Sequence, residues 1–506
     1  MCGKREYGDY QTPVDFAKRV CLYLKDYRHL KPTAIVEPTC GVGSFLESSL
    51  LFNASEYYGI EINPRYCDIC KKKFDDTKIK IINSDFFAFS SRDLIQDKRQ
   101  ILIIGNPPWV TNSTLSTLNS DNLPEKGNFK GLKGIDAITG ASNFDICEYM
   151  ILQLANEYRR TNTVIAMLCK TSVARNVFKE LKRNYINFSS YDILEFDAAK
   201  IFGINASACV LIIQLAERTT SLDVCNVYDF DQPENLKSQF GYSSGQFYSN
   251  LNGKNENFDG HCCFEWRQGV KHDCSKVMEL TLRNGSFQNG LRETVHIEDD
   301  LVFPLVKSSM FKSPIIHSFS KYVIVTQKKA REGTEHLEHE LPKTWEYLNN
   351  NIKLFESRKS SIYHGAPPFS MFGVGDYSYS KYKVGVSGFY KHPLFAMLYS
   401  DDEKPVMTDD TSYFICFDNY DMAYVAMLLL NSENVQDFLP RIAFLDAKRP
   451  YTKKVLERID FDKIVDTISA DELNETEQKL NLPYYITVAM YEDFKLLLGM
   501  GQLRFA

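Results

Sequence analysis

Asn106-Pro107-Pro108-Trp109 is the stretch best suited to chemistry in this chain. It follows Ile101-Leu102-Ile103-Ile104, an unbroken aliphatic run that reads as a strand buried on both faces. Gly105 and the paired prolines end that strand abruptly. The four residues therefore project from its C-terminal end, where open α/β sheets place their ligand crevices. The Asn106 side-chain oxygen and the Pro107 carbonyl are two acceptors, one for each hydrogen of an exocyclic amine. Such a nitrogen is a poor nucleophile because its lone pair is delocalised into a ring. Two acceptors hold it in line with an activated methyl and let it move towards tetrahedral geometry, so positioning and electrostatics do most of the catalysis. The prolines stiffen the turn, and Trp109 offers a flat face on which a planar base stacks. Taken alone, the four residues fit equally a turn whose prolines merely break structure. Their neighbours decide the matter.

Those neighbours are three strands ending in acids. Thr33 to Phe45 reads as a strand, a tight turn at Gly41 and Gly43, and a helix start. The third glycine of a dinucleotide fingerprint is missing and no lysine follows for phosphates, which disfavours a dinucleotide or ATP. Glu37, at the strand end, can instead answer a cationic amine, as in a methionine-type cofactor. Tyr57 to Glu61 is the next strand, and an acid 24 positions after Glu37 is placed to accept from both ribose hydroxyls. Ile81 to Phe87 follows, with Asp85 set to accept from an adenine amino group and Phe86 to pack on the ring. Each acid alone is better explained as a helix N-cap; three in register with one glycine turn and Asn106 to Trp109 favour the cofactor.

This order of motifs resembles the gamma-class (TaqI-like) N6-adenine DNA methyltransferases of restriction–modification type. Asn106 to Trp109 matches their motif IV, Glu37-Pro38 with Gly41 and Gly43 their motif I, and Tyr7 to Pro13 their N-terminal motif X, with Thr12 as cap of a helix over Val14–Leu24. Ala199 to Gln214 is similar to motif VIII, which would pack Phe202 on the flipped base opposite Trp109. The resemblance implies S-adenosylmethionine as cofactor, held by Tyr10, Thr12, Glu37, Thr39, Cys40, Gly41, Gly43, Glu61, Ile62, Asp85, Phe86, Asn106 and Pro108. It implies Asn106, Pro107 and Trp109 as catalytic residues, Trp109 and Phe202 as contacts to the target base, and no metal. Many relatives carry Tyr or Phe where Trp109 stands, and the larger ring alters the fit of the base pocket.

The implied fold is α/β: a Rossmann-like methyltransferase domain with a mixed, mostly parallel sheet over residues 1–218. A linker over 219–260 and an α+β target-recognition domain with C-terminal helices over 261–506 follow. Thr111 to Asn143, polar and without period, is expected to be a flap beside the site. Lys170 and Arg175 are candidate phosphate contacts. In the second half, cations gather around aromatics, as in Lys328-Lys329 with Arg331, which suits phosphate contact with stacking. The formal net charge of −6 argues mildly against nucleic acid but leaves room for a local basic face. Thirteen scattered cysteines read as reduced thiols, and no apolar run is long enough for a membrane span. The expected partners are double-stranded DNA and a cognate restriction endonuclease, in a bacterial or archaeal cytoplasm at the nucleoid. The competing readings are a catalytically idle DNA-recognition subunit, and an RNA or protein amine methyltransferase using the same Asn-Pro-Pro-Trp site.

Overall fold

Short aliphatic runs, each bounded by turn residues, pair into one large sheet in the first half of the chain. The computed structural model describes residues 10–95, 100–110, 145–218, 222–252, 258–402 and 404–502. The expected flap over 111–143 and the opening Tyr7–Asp9 of the N-terminal motif lie outside them. Strands β1 (Ala34–Glu37), β2 (Glu56–Glu61), β3 (Ile79–Asn83), β4 (Ile101–Gly105) and β5 (Thr163–Lys170) run parallel in the order β3-β2-β1-β4-β5. All four residues of β1 and all five of β4 are buried, as an uninterrupted apolar run requires. The chain winds from β1 outward through β2 to β3, then returns to lay β4 on the other side of β1. This reversal opens a crevice at the carboxyl ends of β1 and β4.

Strand β7 (Ser207–Leu215) lies between β5 and β6 (Phe188–Asp197), antiparallel to both. The flanking helices are α1 (Val14–Leu22), α2 (Ser44–Ser49), α3 (Pro64–Lys73), α4 (Ile146–Glu157), α5 (Thr171–Arg183) and α6 (Ala198–Phe202). Helix α5 buries Val173, Ala174, Val177, Phe178 and Leu181, one stripe at helical spacing. Arg28, just beyond α1, is paired with the buried Asp192 of β6 and donates to Ser190 Oγ at 2.7 Å. Thr12 does not cap α1: Pro13 stands at the cap with no side-chain bond, and Thr12 is buried against the cavity described below.

The expected linker over 219–260 is not one, and the first unit does not end at 218. Strands β8 (Val224–Asp229), β9 (Gln232–Ser243) and β10 (Gln246–Tyr248) continue the same sheet, β8 parallel to β6 and the others antiparallel in turn. The polar composition that reads as linker belongs to strands near the sheet edge, where much of β9 is solvent-exposed. The chain divides into two compact units at Asn252/Gly253.

The second unit holds a six-stranded sheet, which includes Glu279–Arg283, Lys321–Ile324 and Val302–Val306. It also holds a five-stranded one that includes Ser412–Phe417 and Tyr382–Ser387. Its helices include Tyr420–Asn431, whose stretch from Ala423 to Leu430 is buried throughout, and the C-terminal Val488–Gln502. Among the described residues no helix is long and apolar enough to cross a membrane, and no cluster of metal-ligating side chains occurs.

Candidate active site

A cavity of about 170 Å³ lies at the carboxyl ends of the central strands. Glu37 and Glu61 reach it from the ends of β1 and β2, Asp85 and Phe86 from just beyond β3, and Asn106 and Pro108 from just beyond β4. Thr39, Cys40 and Gly41 of the turn after β1, Ile62, and Tyr10 and Thr12 complete the sequence-expected residues that line it. Four expected residues do not line it: Gly43, Pro107, Trp109 and Phe202.

The turn after β1 is held from below and from the side. Cys40 N donates to Ile60 O at 2.9 Å, and Gly43 N to Cys40 O at 2.7 Å. Gly41 and Gly43 have φ of +52° and +78°, the region that favours glycine. A Cβ on Gly43 would meet the Phe74 ring at 2.6 Å, so that glycine serves packing against α3 rather than a ligand. A Cβ on Gly41 would meet Gln11 Oε1 at 2.6 Å. The Glu61 carboxylate spans the turn, Oε2 accepting from Gly41 N and Oε1 from Asn63 N, both at 2.8 Å. Held by these two bonds, the carboxylate lines the cavity as an acceptor group of the kind a vicinal diol needs.

The other acids differ in environment. Glu37 is 3% exposed, and its Oε2 accepts from Leu46 N at 3.0 Å. Burial pushes its carboxyl well above the usual carboxylate range, which the Leu46 bond only partly offsets. Asp85 caps the short turn Phe86–Ala88 through Oδ1, which accepts from Phe87 N at 3.0 Å. It thus fills the helix-cap role and still faces the cavity. Thr39 Oγ1 is buried with no hydrogen-bond partner. The thiols of Cys40 and Cys70 bond to each other; this bond pushes Cys40 up and, together with Lys73, holds Cys70 below the usual thiol range.

Asn106 carries the most informative geometry. Its Nδ2 donates to the Tyr10 carbonyl at 2.9 Å, and only the amide nitrogen can donate, so the orientation of the side chain is determined. Its Oδ1 is then buried with no partner. A buried acceptor left unpaired costs about 1–3 kcal/mol, so it marks a place for a donor that arrives from outside.

Trp109 is buried, and its Nε1 donates to Leu168 O at 3.3 Å. Its ring meets that of Phe202 edge to face, with centroids 5.7 Å apart and planes at 66°. A base sandwiched between parallel rings needs about 7 Å, two contacts of about 3.5 Å. The expected sandwich is therefore not preformed; Phe202 instead packs among Trp109, Tyr10, Phe16 and Phe196. Lys170, expected at phosphate, is paired with Asp145 at 2.7 Å.

Sequence reasoning missed Gln11, Tyr66, Phe87, Ile146 and Met150, which also line the cavity. Gln11 lies between two residues already singled out, and Ile146 and Met150 share one face of α4 at a spacing of four. The set as a whole offers a buried acid for an ammonium, a carboxylate for a ribose diol, and an acid beside an aromatic ring for adenine. The unpaired Thr39 hydroxyl adds a polar partner. These groups fit S-adenosylmethionine.

No family model matches the chain. Type II methyltransferase M.NspV of Nostoc sp. is 39% identical over 476 residues, covering 92% of this chain and 98% of that protein. Type II methyltransferase M.CvrRI of Paramecium bursaria Chlorella virus XZ-6E is 27% identical over 211 residues, 41% of this chain and 48% of that one. Among solved structures, the Type IIL restriction-modification enzyme MmeI in complex with DNA shares the fold. Its TM-score is 0.51 at 13% identity, over 92% of this chain and 73% of that one. With near-complete coverage of M.NspV, the chain belongs to the Type II methyltransferases of restriction–modification systems, which transfer a methyl group from S-adenosylmethionine to DNA.

Proposed function

We propose that the methyl acceptor is the exocyclic N6 of an adenine flipped out of duplex DNA. The observation that carries this reading is the Asn106 side chain, with Nδ2 anchored on Tyr10 and a buried, unpaired Oδ1. An aromatic amine brings two donors; Asn106 Oδ1 takes one and the Pro107 carbonyl the other. As the nitrogen becomes tetrahedral its hydrogens gain positive character, and fixed acceptors stabilise that charge more in the transition state than in the ground state. S-adenosylmethionine supplies an electrophilic sulfonium methyl. Glu61 would hold the ribose, Asp85 and Phe86 the adenine, and Glu37 and Thr39 the methionine end. Trp109 offers the face of the extruded base, with Phe202 moving aside from its present edge contact.

The second unit, Gly253–Ala506, is read as the target-recognition part, and a restriction endonuclease of the same specificity as the functional partner. The intact Asn106 and strand-end acids favour an active enzyme over an idle recognition subunit, which has no need of them. The test is single-turnover methyl transfer by Asn106→Ala at saturating cofactor and DNA bearing the modified site. Loss of one preorganised hydrogen-bonding group costs about 10²–10³ in rate, with cofactor and DNA binding kept. A rate within about threefold of wild type, far short of that loss, would remove Asn106 from the chemistry.

A further inference from the structure

We propose that Gln11 is a positioning residue that couples the cofactor turn to Asn106. The inference rests on the reading of Asn106 as the amine acceptor. Gln11 Oε1 accepts from Val42 N at 3.2 Å, between the two glycines of the turn. The Gln11 amide packs where Gly41 lacks a Cβ, so a side chain there would displace it. The carbonyl that holds Asn106 belongs to Tyr10, and the C=O of residue 10 lies in one rigid peptide plane with the N of residue 11. Anchoring Gln11 on the turn therefore restrains the peptide plane that carries the Tyr10 carbonyl, and with it the Asn106 amide.

The chain of contacts is continuous. Glu61 Oε2 accepts from Gly41 N, Val42 N donates to Gln11, and Asn106 Nδ2 donates to Tyr10 O. A ligand that orders the turn thereby orients the acceptor for the amine. If the Tyr10 carbonyl swings away, the Asn106 amide is free to rotate and present Nδ2 to the amine, donor against donor. Gln11 then acts on the chemical step, beyond whatever contact it makes along the cavity wall.

Gln11→Met keeps the bulk against Gly41 and removes the acceptor; Gln11→Asn withdraws the acceptor by one methylene. Because Gln11 is solvent-exposed, neither change threatens the fold. Single-turnover methyl transfer is measured for wild type, each variant, Asn106→Ala and the Gln11→Met/Asn106→Ala double variant, with cofactor affinity by calorimetry. Both Gln11 variants should slow transfer about five- to tenfold, inside the roughly two- to twelvefold range for one neutral hydrogen bond. The loss should persist at saturating cofactor and vanish in the Asn106→Ala background, since the two residues act as one unit. A loss abolished by more cofactor would make Gln11 a simple ligand contact and overturn the proposal. So would a rate within about twofold of wild type, the bottom of that range, or the same loss in both backgrounds. Those three outcomes leave the role of Asn106 standing, whereas a fast Asn106→Ala removes both.

Discussion

Glu61 is the acid whose replacement the structure prices most sharply. Both of its oxygens already accept a backbone N–H, Oε2 from Gly41 and Oε1 from Asn63, each at 2.8 Å, and the residue is 8% exposed. Glu61→Gln must therefore set its new NH₂ against one of those two donors, whichever way the amide turns. Glu61→Ala leaves both donors without a partner but opens space that a water can enter. A hydrogen bond to a charged group contributes about 1.5–3 kcal/mol, and an unsatisfied buried donor costs about 1–3 kcal/mol. The isosteric amide thus gains little over alanine. Each variant should weaken S-adenosylmethionine by about 1.5–3 kcal/mol, roughly 10- to 150-fold in Kd. Isothermal titration calorimetry on both folded variants decides this. Glu61→Gln binding with wild-type affinity would show that Glu61 neither grips the ribose nor holds the turn that does.

Three further predictions follow from burial and from the division into units. Burial raises the Glu37 carboxyl, so its neutral form favours folding at low pH, and that contribution is lost as pH rises through the raised value. Glu37→Gln should accordingly raise Tm relative to wild type more at pH 8 than at pH 5 while weakening the cofactor, and a gain equal at both pH values would refute this origin. Arg28→Ala leaves Asp192, 2% exposed, its bond from Asn226 Nδ2 at 2.8 Å but removes the guanidinium that neutralises it. The cost should be about 3 kcal/mol in urea unfolding, the lower end for a broken buried pair because Arg28 is partly solvated, and a change under about 1 kcal/mol would contradict it. A fragment ending at Asn252 contains every cavity-lining residue and should bind S-adenosylmethionine within about threefold of the full chain, under 1 kcal/mol of difference; one ending at 218 removes β8 to β10 and should unfold at lower temperature.

The family and the α/β fold were legible because they rest on local signals. Ile101–Ile104 can be little other than a buried strand, and the Gly41–Gly43 turn follows its own strand directly. The end of the first unit was not legible, because β9 is a long, largely exposed strand whose polar residues resemble a linker until pairing with β8 is seen. Asn106 was singled out for its acceptor, yet the Tyr10 carbonyl that orients it lies 96 positions away, and a backbone atom leaves no trace in residue type. Phe202 was expected to flank a base, whereas its 5.7 Å edge contact with Trp109 depends on how the end of α6 packs on the loop after β4, which no periodicity encodes. Gln11 escaped notice because its role comes from the gap left by a missing Cβ on Gly41.

The methylated product shows directly which atom Asn106 presents to the methyl group. Duplex DNA incubated with the purified chain and isotopically labelled S-adenosylmethionine is digested to nucleosides and separated by mass spectrometry. Label is expected in N6-methyladenosine of the deoxy series alone, and absent when Asn106→Ala replaces the wild-type chain over the same interval. Label in a methylated cytosine, or undiminished label with Asn106→Ala, would contradict it.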